Sequence, residues 1–257
     1  MGPSSTDLKY LRSLSVKKYR RLHGRFLVEG SRLVEEALQA ADRVEELLCT
    51  EKYKRSKHFE KLNSLAVKGA IPVRDIRQVQ AGQISATRHT QGVFAVCRLP
   101  AAGIGEQASK PPVLVLDSIA DPGNLGTLLR TADWFGVPTV LVVDTSADIY
   151  SPKVVRGAMG AHFHFKELQQ LPVDLIIGKL RQADIPIIGA MLDGEPIGKL
   201  PSVGNKWALV VGNEAQGIGP AMEPVLDIRV TIQGRGQAES LNVAVAAGIL
   251  LQALCPD

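Results

Sequence analysis

Cysteine is scarce in this 257-residue chain: Cys49, Cys97 and Cys255 stand alone, with no C-x-x-C pair. That spacing excludes a zinc ribbon and a disulfide framework, and it fits a reducing, cytoplasmic compartment. No apolar run reaches the ~18–20 residues of a membrane span. The start of the chain shows no apolar h-region, so no secretory signal is expected, and too few residues precede the first folded pattern for a transit peptide. There is no Gly-Lys-Ser/Thr of a Walker A loop and no G-x-G-x-x-G after a first strand, which argues against a nucleotide hydrolase or a dinucleotide enzyme. His162 and His164 are expected two apart on one face of a strand, without a third ligand, so no metal site is expected.

What is present is an ordinary globular composition, 45% hydrophobic and 22% charged, with an uneven charge distribution. Residues 1–110 hold 20 Lys+Arg against 11 Asp+Glu, and residues 111–257 hold 10 against 15. The basic excess belongs to the first part alone. It is either a solvated lysine-rich surface or a face that meets a polyanion. The Pro-, Gly- and Ala-rich stretch 101–112 reads as a linker. It divides the chain into a small α/β domain (1–100) and a larger domain (113–257).

In the first domain, residues 7–23 interleave cations with Leu8, Leu11, Leu14 and Leu22. Residues 26–30 read as a strand, Ser31 as the cap of a helix over about 32–41, and 45–50 and 92–97 as further strands. In the second domain, apolar runs at 113–116, 139–143, 185–191, 208–211 and 228–232 alternate with helical patterns at about 124–135, 152–160, 172–183 and 218–226. A last helix spans about 241–254. Continuous β-branched runs between helices predict an α/β fold with a parallel sheet covered on both faces. Ligands in such sheets bind beyond the carboxyl ends of the strands, which directs attention to three loops.

The first loop follows residue 116. A helix starts near Asn124, which suits an N-cap, and Arg130 lies within two turns of it. Arg130 is either a snorkelling surface residue or a cation placed near an anion site. The second loop, Gly212-Asn-Glu-Ala-Gln-Gly-Ile-Gly219, is glycine-rich. Its Glu214 is either a helix-start carboxylate or one that orders a ligand or its neighbours. The third runs from Ile232 through Gly234, Gly236, Ser240 and Leu241 to Asn242, and Ser240 or Asn242 would cap the last helix.

Taken together, Asn124-x-Gly126-x-x-x-Arg130-x-Ala132-x-x-Phe135-Gly136, Gly212-Asn-Glu214 and Ser240-Leu-Asn-Val243 resemble, in order and spacing, the three motifs of the SpoU (TrmH-like) RNA 2′-O-ribose methyltransferases. Lys9-x-x-x-Ser13 through Arg25-Phe-Leu-Val-Glu-Gly-Ser-Arg-Leu-Val-Glu-Glu-Ala37 resembles the small RNA-binding domain of the family's ribosomal-RNA branch. The third motif departs from the family in having Ile232-Gln233-Gly234 where Ile-Pro-Met often precedes the glycine, and Ala-Val-Ala at 244–246. Thr131 stands where Asn is common.

The resemblance implies a parallel sheet with a deep C-terminal trefoil knot. It implies S-adenosylmethionine held largely by backbone at Val143, Asp144, Thr145, Gly212, Asn213, Glu214, Ile232, Gly234, Ser240 and Leu241. It also implies a homodimer through the knotted domain. Asn124, Arg130, Glu214, Ser240 and Asn242 would carry catalysis. A guanidinium is a poor base, so Arg130 is expected to bind an RNA phosphate and stabilise the developing oxyanion. Lys9, Arg12, Lys17, Lys18, Arg20, Arg21 and Arg25 would hold RNA, with a log–log salt slope of roughly −4 if some six engaged phosphates of a single strand. Ribosomal RNA, at a guanosine, is the favoured substrate. A transfer RNA, or a non-catalytic role in ribosome assembly, is the alternative.

Overall fold

The computed structural model describes residues 2–100, 109–200 and 203–255, so most of the expected linker lies outside the described residues. Among these the chain runs α1 (Ser5–Ser13), α2 (Lys17–His23), β1 (Arg25–Glu29), α3 (Ser31–Gln39), β2 (Val44–Cys49), α4 (Glu51–Lys54), α5 (Phe59–Lys68), β3 (Val73–Asp75), α6 (Gln78–Ile84) and β4 (Val93–Arg98). It continues through β5 (Val113–Leu116), α7 (Pro122–Trp134), β6 (Thr139–Val143), α8 (Pro152–Ala158), β7 (Glu167–Leu171), α9 (Val173–Gln182), β8 (Ile187–Pro196), β9 (Ala208–Val211), β10 (Ile228–Thr231) and α10 (Val243–Leu254). Two compact units form. One comprises residues 2–100 together with Tyr150–Phe163, and the other residues 109–149 and 164–255.

The first unit is a four-stranded sheet in the order β1-β4-β2-β3, with β4 antiparallel to both neighbours and β3 parallel to β2. The period of two sends alternate side chains to opposite faces. Phe26, Val28, Leu47 and Ala95 pack with Leu33 and Leu38 of α3 and Leu62 of α5. Leu48, Phe94 and Val96 pack with Leu11, Leu14 and Ile84. The leucine-and-cation stretch 7–23 divides into α1 and α2. Leu11 and Leu14 are buried at the break, whereas Leu22 is 69% exposed. Gly30, at φ 103°, caps α3, and Ser31 is that helix's first residue. The Ser31 hydroxyl instead donates to Gln91 Oε1 and accepts from Tyr53. Helix α8 belongs to this unit: Val155 enters its core, and the Tyr150 and Phe163 rings lie 4.8 and 6.2 Å from Phe26.

The second unit is a six-stranded sheet in the order β10-β8-β9-β5-β6-β7, parallel throughout. Val113, Val115, Leu141 and Val210 meet Ile176 and Leu180 of α9 on one face. Leu114, Leu116, Val140 and Leu209 on the other are equally buried, so both faces are covered. Three expectations are corrected here. The predicted helix 218–226 is only a 3₁₀ turn at Glu223–Val225, because Pro220 and Pro224 remove donors and block a regular helix. The predicted strand at 185–191 begins at Ile187 and runs on to Pro196, with Gly194 against the Val230 backbone, where a side chain would not fit. His162 and His164 share no strand. His162 is buried in a 3₁₀ turn of the first unit, and His164 lies 3.0 Å from Asp133 in the second.

Candidate active site

The site is built where the carboxyl ends of β5, β6, β9 and β10 release their loops. After β5, Asp121 rather than Asn124 caps α7. Its Oδ1 accepts from the Asn124 backbone N–H at 2.8 Å, and Pro122 occupies the first helical turn, where a missing N–H costs nothing. The Asn124 side chain is therefore free for other bonds. Its Nδ2 donates to Glu214 Oε1, and its Oδ1 accepts from Asn242 Nδ2 at 3.1 Å. Asn242, not Ser240, caps α10: its own Oδ1 accepts from Ala244 N at 3.0 Å. One half-buried amide thus links residues 90 and 118 positions away in sequence. All three motifs meet at it.

The bridge also fixes the course of the third loop. That loop leaves edge strand β10 and ends at the start of α7, which follows β5. These strands are three places apart, roughly 14 Å at the usual spacing, so residues 232–242 cross the carboxyl ends of β8 and β9.

A second set of bonds ties the loops after β5, β6 and β9 together, joining the expected Thr145 and Asn213 to Asp117, Ser118, Ser146 and Gly219, which lie outside the three motifs. Asp117 is buried and accepts from Gly219 N at 2.7 Å and from Ser118 Oγ at 3.0 Å. Ser118 sits at φ 57°, a left-handed conformation rare for a residue with a side chain. Its hydroxyl meets Thr145 Oγ1 at 2.9 Å, and its carbonyl accepts from Asn213 Nδ2 at 3.0 Å. Ser146 Oγ accepts from Ile119 N at 3.0 Å. The Asp-Ser pair directly after a buried strand was the available signal.

The glycine loop closes on itself. Asn213 and Gly217 exchange two backbone hydrogen bonds of 2.8 Å, and Asn213 Oδ1 accepts from Ala215 N at 2.9 Å. Gly212 is required by close approach: a Cβ there would sit 2.2 Å from the Gly217 backbone. Glu214 lies exposed at the loop's tip.

The remaining expected residues divide. Val143 ends β6 and is buried, whereas Asp144 and Thr145 are exposed just beyond it. Ile232 is half-buried, and Gly234, Ser240 and Leu241 are exposed along the third loop. Arg130 is exposed on α7 and makes no hydrogen bond or ion pair among the described residues. Neither Arg130 nor Ser240 joins the Asn124 bridge. No group of three His, Cys, Asp or Glu side chains that could hold a metal forms among the described residues.

The expected RNA contacts, in the first unit, also divide. Lys9, Arg12, Lys18 and Arg21 are exposed, and Lys17 is half-exposed. Lys18 Nζ lies 5.9 Å from the Tyr19 ring, which stacks on His23. Arg20 is a correction. It is 3% exposed and donates to the Leu14 carbonyl at 2.8 Å, closing the α1–α2 turn from inside. Arg25 is held by Glu45, with Nη2 to Oε1 at 2.9 Å, and that hydrogen bond raises its affinity for the proton further. Both guanidiniums are committed within the fold.

Comparison with known proteins agrees with this geometry. The model of the SpoU rRNA Methylase family matches residues 111–252, and that of an MRM3-like substrate binding domain matches residues 6–95. The 23S rRNA (guanosine(2553)-2′-O)-methyltransferase RlmP of Bacillus subtilis is 34% identical over 95% of this chain and 94% of its own. A solved TrmH-family RNA methyltransferase of Porphyromonas gingivalis is 34% identical, superposes with a TM-score of 0.82, and is covered over 98% of its length, as is 99% of this chain. An AdoMet-bound rRNA methyltransferase of Sinorhizobium meliloti superposes with a TM-score of 0.84 at 25% identity, across 98% of this chain and 95% of its own. The chain belongs to the SpoU rRNA methylase family of S-adenosylmethionine-dependent RNA 2′-O-ribose methyltransferases.

Proposed function

We propose that this methyltransferase acts on the 2′-hydroxyl of a guanosine in the large ribosomal RNA. The observation that carries this reading is the Asn124 bridge, which joins all three motifs at the carboxyl edge of the sheet. The guanosine and the ribosomal target are supported by the likeness to RlmP along nearly the whole chain. The fit to the cofactor is a matter of donor type. The loops at 212–219 and 232–242 carry glycines that leave backbone accessible, and a Cβ on Gly234 or Gly236 would meet nothing within 4 Å. Backbone N–H and C=O groups suit an adenine edge, and S-adenosylmethionine has no phosphate that demands a cation.

When bound, S-adenosylmethionine supplies a methyl group on a positively charged sulfur, so alignment and exclusion of water are the main tasks left to the protein. Asn124, Glu214 and Asn242 hold the three loops in register. Arg130, exposed and unpaired among the described residues, receives an RNA phosphate and stabilises charge as it develops on the 2′-oxygen. A guanidinium stays protonated near neutrality, so the hydroxyl proton passes to a phosphate oxygen. Lys9, Arg12, Lys17, Lys18 and Arg21 hold the RNA; Arg20 and Arg25 do not. Incubation with tritiated S-adenosylmethionine and total RNA, followed by digestion, is expected to yield labelled 2′-O-methylguanosine from the large ribosomal RNA. Label in transfer RNA alone would overturn the target. Cofactor binding without transfer to any RNA would favour an assembly factor.

The same reading includes a homodimer. Helices α7 and α10 lie together, with Thr131 Cγ2 3.8 Å from the Gly248 position, and they leave Trp134 84%, Val245 51% and Ile249 41% exposed. An apolar face of this kind marks an interface. Light scattering is expected to report a dimer for the native chain and a monomer for Trp134→Glu. The trefoil path is supported by the third loop's passage across β8 and β9. Among the described residues no helix is long and apolar enough to cross a membrane, and a ribosomal RNA substrate supports a cytoplasmic location.

A further inference from the structure

We propose that a cavity in the first unit, between α1, α6 and α8, holds one unpaired nucleotide of the RNA, its phosphate gripped by Arg12 and Arg156. The proposal deepens the reading above and rests on RNA being the substrate. The cavity measures about 430 Å³, within the range of small-ligand sites. Its walls include Leu11, Leu27, Ile84 and Val155, and both guanidiniums line it. Neither guanidinium forms a hydrogen bond or ion pair among the described residues.

The third charged group, Glu29, does not neutralise them. Its Oε1 accepts from Ser85 Oγ at 2.6 Å and Thr87 Oγ1 at 3.1 Å, and its Oε2 from Ala86 N at 3.2 Å. Three internal donors hold this carboxylate still, and Oε2 keeps capacity for one more. A base edge bearing N–H groups suits that acceptor, apolar walls suit the base faces, and two free guanidiniums suit the phosphate. An unpaired nucleotide combines all three features, whereas a duplex could not enter. Arg156 lies far from the N-terminal cations in sequence, yet α8 brings it to the same unit.

The test is filter binding of large ribosomal RNA to the full-length protein between 0.05 and 0.3 M salt. Gly82 and Ala86 line the cavity, and a Cβ at Gly82 meets no atom within 4 Å, so Gly82→Phe brings a ring to the cavity without a clash at its Cβ; Ala86→Phe is the second filling variant. Arg12→Gln and Arg156→Gln are each expected to weaken binding about 5-fold at 0.1 M salt, and to flatten the log–log slope by ~0.7. The filling variants are expected to weaken it at least as much while cofactor affinity stays at the native value. Native RNA affinity in both filling variants would overturn the insertion of a nucleotide, even if the arginine variants bind weakly. An unchanged salt slope in Arg156→Gln would overturn the phosphate grip. Methyl transfer by the native protein is measured on the same RNA: its failure would refute the proposed function, and binding would still decide the cavity.

Discussion

Gly212→Ala isolates what the glycine loop requires. A Cβ at position 212 would lie 2.2 Å from both the carbonyl carbon and the oxygen of Gly217, and 2.4 Å from Ile218 N. These are backbone atoms, and no rotamer change can move them. Relief to an ordinary contact of 3.4 Å demands that the two arms of the loop part by about 1.2 Å. The first casualties are the paired 2.8 Å bonds between Asn213 and Gly217. At roughly 1 kcal/mol each, their loss costs about 2 kcal/mol, or some 4–8 °C in the Tm of a unit this size. Glu214 rides on the displaced segment, and an ångström of misplacement is worth about 10²-fold in rate. Calorimetry with S-adenosylmethionine should show weakened binding, and tritium transfer should show the slower turnover. Gly217→Ala is the control, because its Cβ meets nothing within 4 Å and only its φ of 69° is unfavourable. Its cost is about 1 kcal/mol. A Gly212→Ala enzyme with native Tm, cofactor affinity and turnover would refute the close-approach argument. Equal effects at 212 and 217 would refute it too, by leaving backbone conformation as the whole cause.

Asn124→Ala removes both links to Glu214 and Asn242, and should lower kcat/KM about 10²-fold while RNA affinity in filter binding stays native. Arg20→Met should lower stability by ~2 kcal/mol in urea without changing the salt slope of RNA binding, because its guanidinium serves the Leu14 carbonyl. Lys18→Ala should do the reverse, flattening the slope by ~0.7 at native stability. Burial pushes the Cys49 thiol up to about 12, Cys97 higher still and Cys255 upward as well, but Cys255 alone of the three is partly exposed. At pH 8, below these raised values, both buried thiols stay protonated. A disulfide reagent should therefore modify Cys255 in the native protein and all three only after denaturation.

The parts of this structure that composition reveals are those in which one force acts alone. Strands β5, β6 and β9 match their expected boundaries to the residue, because a central parallel strand must be apolar on both faces and nothing polar blurs its ends. Edge strand β7, Glu-Leu-Gln-Gln-Leu, carries no such pattern, because it buries Leu168 alone and leaves its other residues half-buried. Asn124 looked like a cap because Asn and Asp compete for that role. The presence of Pro122 decides for Asp121 and releases Asn124 for the bridge that unites the motifs. The cations of α2 show the deeper reason. Lys18 and Arg20 are two positions apart, about 200° around a helix, so one can face solvent only if the other faces inward. Both carry the same charge, and composition counts them alike. The turn at Leu14–Val16 sets the helix's roll and turns Arg20 toward the Leu14 carbonyl. Which cations stay free to meet RNA is therefore decided by a helix break that no charge count contains, and the same holds for Arg156, which α8 delivers to the cavity of the first unit as Val155 packs into that unit's core.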